Sequence, residues 1–134
     1  MKRVLHRQFI SATSNREFLA VFLKKQWFDL IKSGIKKEEY RDLSHYYAVR
    51  FVNLIKPNQK HDDYSIRIFI DECRSGKYLH GDEFPVMIRN GYSATSPTLT
   101  MYCNLTVGTG KEEWGAVEGV EYFVLHINRI KDES

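Results

Sequence analysis

At 134 residues and a net charge of +3, the chain has room for one domain, with a core that needs no crosslinks. Its hydrophobic content of 43% is ordinary for a globular protein, and no apolar run approaches the roughly 20 residues of a membrane-spanning helix. Two cysteines do not make a disulfide framework, and Arg7 and Gln8 interrupt any signal-like apolar stretch, so a cytoplasmic location is expected.

Residues 1–16 show no clean period and read as an N-terminal arm ahead of a single domain over 17–134. Phe18 to Leu23 is apolar on both faces, which predicts a central strand. A helix is expected from about Lys25 to Ser33, with Trp27, Leu30 and Ile31 on one face. Gly34 fits the left-handed residue just past a helix end, and Ile35 should then fold back onto Leu30. A strand follows from about Lys36 to Asp42, with Lys37, Glu39 and Arg41 pointing one way and Glu38 and Tyr40 the other. Ser44 suits the N-cap of a second helix, His45 to Ile55, striped by Tyr47, Phe51, Leu54 and Ile55 and stopped before Pro57.

Beyond the polar loop 56–64, Ile66, Ile68 and Ile70 alternate with Arg67 and Asp71, the pattern of a half-buried strand over Ser65 to Asp71. The glycine-containing stretch 72–83 reads as a long loop. It holds Cys73, the likelier reactive thiol of the two, while Cys103 falls on an apolar register as a buried small hydrophobe. Phe84 to Arg89 is a strand, and Asn90-Gly91 signals a turn. Ser93 to Pro97 is a Ser/Thr-rich connector. Thr98 to Val107 alternates throughout, placing Leu99, Met101, Cys103, Leu105 and Val107 inward and Thr98, Thr100, Tyr102, Asn104 and Thr106 outward. A second long loop around Trp114 spans 108–120, and Glu121 to Ile130 closes the chain as a strand. The expected fold is α+β, mainly β: a small barrel of about six strands with two flanking helices.

The charged strand after Gly34 has two readings. It is either a solvated edge, where charges deter aggregation, or a pocket floor with a fixed cation-anion-cation row. Gly34, Lys36, Glu39 and Arg41 reproduce the G-x-K-x-x-E-x-R signature of the ASCH domain, a relative of the PUA domain, in a strand-helix-strand setting. The stretches FPVMIRNGY, GKEEWG and EYFVLHINRI also look similar to the closing strands of small ASCH proteins, so the resemblance covers roughly residues 18–131. It implies a PUA-like barrel that binds RNA or a nucleotide-like ligand in a charged cleft. That cleft would be lined by Lys36, Lys37, Glu39 and Arg41, by the turn residues Arg89, Asn90, Tyr92 and Ser93, and by Trp114.

A second implication is enzymatic. Some compact members of the wider family are amidohydrolases acting on acylated cytidine, which would make Lys36 and Glu39 catalytic toward a nucleoside such as N4-acetylcytidine. Those members carry threonine where Glu39 stands and need a carboxylate from a later strand; Glu83, Glu112, Glu113 and Glu118 are the candidates. A third reading is a non-catalytic regulatory or interaction module. No cofactor and no metal are expected. The histidines lack zinc-ligand spacing, and Gly108-Thr109-Gly110-Lys111 fails as a phosphate loop because Leu105 and Glu112 stand where glycine and Ser/Thr belong. Charge is unevenly spread: residues 1–67 hold 14 Lys+Arg against 7 Asp+Glu, and residues 68–134 hold 6 against 10, so the basic half is the one to steer a polyanion. Tyr40, Tyr46, Tyr47, Tyr92, Tyr102 and Trp114 are possible stacking faces, with most expected in the core and Tyr92 and Trp114 exposed on loops.

Overall fold

The computed structural model describes residues 19–93 and 95–132. The arm, Phe18 and Ala94 therefore lie outside the described residues. In chain order the elements are β1 (Leu19–Leu23), α1 (Lys25–Lys32), β2 (Glu38–Asp42), α2 (His45–Ile55), α3 (Asp63–Arg74), β3 (Phe84–Asn90), β4 (Thr98–Thr109), a 3-10 turn (Glu112–Trp114) and β5 (Glu121–Asp132). The strands form one sheet in the order β1-β3-β4-β5-β2, curled into a half-barrel; β1 runs parallel to β3 and every other pairing is antiparallel. The class is α+β, as expected, but the described residues hold five strands and three helices rather than six and two.

The difference lies at 63–74. Ile66, Ile68 and Ile70 do alternate, yet the segment is helical: Asp62 accepts a hydrogen bond from Ser65 N at 2.8 Å and caps the first turn. Ile66, Phe69 and Cys73, spaced i, i+3 and i+7, turn inward, while Ile68 stays 39% exposed. A fit to period 3.6, completed by the cap, beats the fit to period 2. Cys73 consequently sits in the core rather than in a loop, and burial pushes its thiol up to about 12. It is an inert hydrophobe like Cys103, whose thiol burial also raises.

Among the described residues β1 is an end strand, not a central one, and Phe22 is exposed. The other end strand is β2. The core joins Phe28 and Ile31 of α1, Phe51 and Val52 of α2 and Phe69 of α3 to the inward residues of β4 and to Phe123 and Leu125 of β5. Inward placement of Leu99, Met101, Cys103, Leu105 and Val107 holds, but Thr100 and Asn104, expected outward, are also buried. β4 is thus covered on both faces. An extra residue, Asn128, bulges from β5 between the Tyr102–Arg129 and Cys103–Ile127 pairs.

Candidate functional site

Positive φ at Gly34 (82°) ends α1, and the amides of both Ile35 and Lys36 donate to Leu30 O at 3.0 Å. This is the expected Schellman-type close. Its apolar half is missing, because the Ile35 side chain is 61% exposed. The tight reversal instead delivers Lys36 into the protein, where it is 1% exposed.

Lys36, Glu39 and Arg41 form one row. Lys36 Nζ lies 3.2 Å from Glu39 Oε1, and Arg41 Nη2 lies 2.6 Å from Glu39 Oε2. Lys36 Nζ also donates to Trp114 O at 2.7 Å and stands 5.2 and 4.9 Å from the ring centroids of Trp27 and Tyr40. Arg41 Nη1 donates to Tyr47 Oη at 3.3 Å, and Arg41 Nε has no hydrogen-bond partner. Burial lowers the Lys36 pKa, against the opposing pull of Glu39. Burial acts the same way on Arg41, but the Glu39 charge and Tyr47 outweigh it and the net shift is upward. The row is a desolvated cation-anion-cation set whose inner end is closed and whose outer end, Arg41, reaches the surface at 17% side-chain exposure.

Loop 110–116 seals the inner end. Lys111 N donates to Tyr40 Oη at 2.9 Å, and Gly115, at φ 103°, abuts the Trp27 ring. A Cβ on Gly110 would fall 2.5 Å from the Tyr40 ring, so only glycine lets the loop approach so closely. Tyr40 Oη in turn donates to Glu38 Oε1 at 2.7 Å. Beside it, His126 Nε2 and Thr106 Oγ1 share a hydrogen bond of 2.7 Å, which makes His126 the satisfied half-buried residue that its apolar neighbours suggested. Burial lowers its pKa, with Glu38 opposing.

The remaining expected site residues lie apart from the row. Lys37 is exposed and lies over Gly34 rather than beside Glu39. Trp114 contributes its carbonyl, not its ring, which sits under Lys111 Nζ at 4.6 Å. Arg89 is buried and donates to Ser93 O at 2.6 Å; Tyr92 is 84% exposed and stacks on Phe22 at 4.9 Å. Asn90 ends β3, with β4 and β5 between it and β2, so the turn residues gather at the β1–β3 side of the sheet. Of the candidate carboxylates, Glu83 pairs with Arg129 at 3.2 Å, and Glu112, Glu113 and Glu118 are exposed. A cavity of about 70 Å³ lies between Gly34, Lys36, Lys37 and the Asn128 bulge, room for water but not for a nucleoside.

What the sequence reading undervalued is the start of α2. Tyr46 is 53% exposed, not core, and its ring meets Tyr47 edge-on at 5.0 Å. Arg50 stacks on Tyr46, with its guanidinium carbon 3.3 Å from the ring centroid, and donates to Tyr46 O at 2.9 Å. Arg41, Tyr47, Tyr46 and Arg50 make a continuous ladder leading out from the buried row. The i, i+4 spacing of Tyr46 and Arg50 directly after the signature was the available signal. Comparison with protein families, with curated proteins and with solved structures finds no match for this chain.

Proposed function

We propose that the protein is an ASCH-type, PUA-like domain that binds single-stranded RNA or a nucleotide-like ligand, and that the contact runs over Arg41, Tyr47, Tyr46 and Arg50. The observation that carries this reading is the Arg41 guanidinium. It is fixed from behind by Glu39, reaches the surface at 17% side-chain exposure and is continued by a cation-aromatic ladder. Fixed cations interleaved with aromatic faces suit a phosphate backbone with unstacked bases. The ladder lies in the basic half of the chain, which supports attraction of a polyanion.

Lys36 has a different part in this reading. With its Nζ satisfied and 1% exposed, it orients Glu39 and through it Arg41. The hydrolytic alternative has one point in its favour, the lowered Lys36 pKa. It needs the inner end to open before a carbonyl can reach the amine. Incubation with N4-acetylcytidine and chromatography for cytidine tests it.

Binding itself is tested by fluorescence anisotropy with a short labelled single-stranded RNA across a salt series. Arg41→Ala and Arg50→Ala should each weaken binding and flatten the salt slope by about one unit. Wild-type protein that leaves the RNA free, or variants that bind unchanged with an unchanged slope, would overturn the proposal.

A further inference from the structure

A second cavity, of about 450 Å³, opens between the end of α2, the loop after it and the segment joining α3 to β3. Its size is that of a small-molecule site, unlike the 70 Å³ gap beside Lys36. Leu54, Ile55, Pro57 and Phe84 provide apolar walls and Tyr78 an aromatic one. The charged residues lining it are Asp82 and Glu83, both carboxylates.

The walls are held in place before any ligand arrives. Asn104, 7% exposed in the middle of β4, donates from Nδ2 to the carbonyls of Tyr78, Gly81 and Asp82 at 3.4, 3.1 and 3.4 Å, and its Oδ1 accepts from Asn128 at 2.7 Å. One buried polar side chain thereby fixes the loop that forms the cavity mouth. Tyr78 packs on Phe69 at 5.6 Å and donates its hydroxyl to Glu72. His61 Nε2 lies 3.1 Å from Lys56 O and holds the loop after α2.

Nearby cations are already engaged. Lys56 and Lys77 each lie 2.8 Å from Glu72, which leaves neither facing the cavity as a free charge. Arg129 pairs with Glu83 from an exposed position and stacks on Tyr102. Asp82 has no ion-pair partner among the described residues. A ligand with an apolar, flat body and a protonated amine would place the body against Leu54, Pro57 and Phe84 and the ammonium on Asp82, beside the Glu83 that Arg129 already engages.

We infer that this cavity is a binding site for a small amphiphilic organic cation, an aromatic or alkyl amine, separate from the Arg41 surface. It does not depend on the RNA reading and involves none of its residues.

Tryptamine serves as the probe, with indole-3-propionate as a control that keeps the ring and reverses the charge. The expected result is a rise in melting temperature and movement of the amide resonances of residues 78–84 with tryptamine, and neither with indole-3-propionate. Asp82→Asn with Glu83→Gln should weaken tryptamine about fivefold, the loss expected for one partly exposed ion pair. Both positions are exposed, so the fold survives that change. Leu54→Trp, checked by circular dichroism, should fill the cavity and abolish binding. No response to tryptamine at millimolar concentration, equal response to the propionate, or tryptamine binding that the Asp82/Glu83 change leaves intact would each overturn the inference.

Discussion

Lys36 and Cys73 show how far a residue's chemistry departs from its neighbours in the sequence. Lys36 looks like one charge in a charged run, yet it is among the most buried side chains of the protein because a carbonyl 78 residues away and two aromatic faces receive it. Nothing local in the sequence announces that partner. Cys73 falls in an expected loop because the evenly spaced isoleucines before it mimic a strand, whereas the helix carries it into the core. With both thiols buried and raised, iodoacetamide should label neither in the native protein and both after denaturation, as mass spectrometry would show. Glu72 is an acid-sensitive residue, along with Asp62 and Glu121, whose carboxyls are also lowered by hydrogen bonds. Burial pushes its carboxyl up, but hydrogen bonds from Lys56, Lys77 and Tyr78 prevail and hold it near about 2, below its ordinary 4.5. Between those values the unfolded chain binds the extra proton, so stability rises with pH there and is lost as pH falls from about 4.5 toward 2. Glu72→Gln should lower the melting temperature at neutral pH and lose less than wild type on acidification through that window, which thermal melts would reveal.

At the level of elements, local signals worked where they were stereochemical. Gly34 capped α1, Ser44 capped α2 by accepting from Tyr47 N at 3.3 Å, and Asn90-Gly91 turned the chain with Gly91 at φ 89°. Hydrophobic period failed for 63–74 because three isoleucines at even spacing satisfy a strand while Ile66, Phe69 and Cys73 satisfy a helix; the cap at Asp62 decided between them. The edge position of β1 was illegible because apolar composition reports burial, not which neighbours a strand pairs with. Loop 110–116 makes its own prediction. Gly110→Ala forces a methyl against Tyr40 and Ala116, an overpacking that costs about 1–3 kcal/mol. Its melting temperature should fall by several degrees. A Gly76→Ala comparison, with open space but φ 85°, isolates backbone strain from crowding.

Across the whole molecule, the curled sheet divides the candidate site residues between separate places. The signature residues Lys36, Glu39 and Arg41 converge, although strand alternation puts Lys37 rather than Lys36 with Glu39 and Arg41, and they meet in a sealed interior with only Arg41 reaching out. The turn after β3 belongs to the other side of the sheet, which no reading of FPVMIRNGY in isolation discloses. The larger cavity was invisible for the same reason: Leu54, Tyr78 and Phe84 meet only once α3 is a helix and Asn104 has drawn the 78–82 loop onto β4.

Three charges withdrawn from water also restrict how this protein can change over generations. Lys36→Met leaves Glu39 still paired with Arg41, whereas Glu39→Leu leaves Lys36 and Arg41 withdrawn from water without a counter-charge, a loss of the order of 3–5 kcal/mol. Made together, the two substitutions leave one cation, Arg41, without its carboxylate in place of two, so the double variant should melt above Glu39→Leu alone. Loss of Glu39 is therefore the costly single step. A lineage that lost Lys36 could keep the guanidinium anchored by Glu39, whereas one that lost Glu39 would forfeit that anchor and leave cations buried behind it.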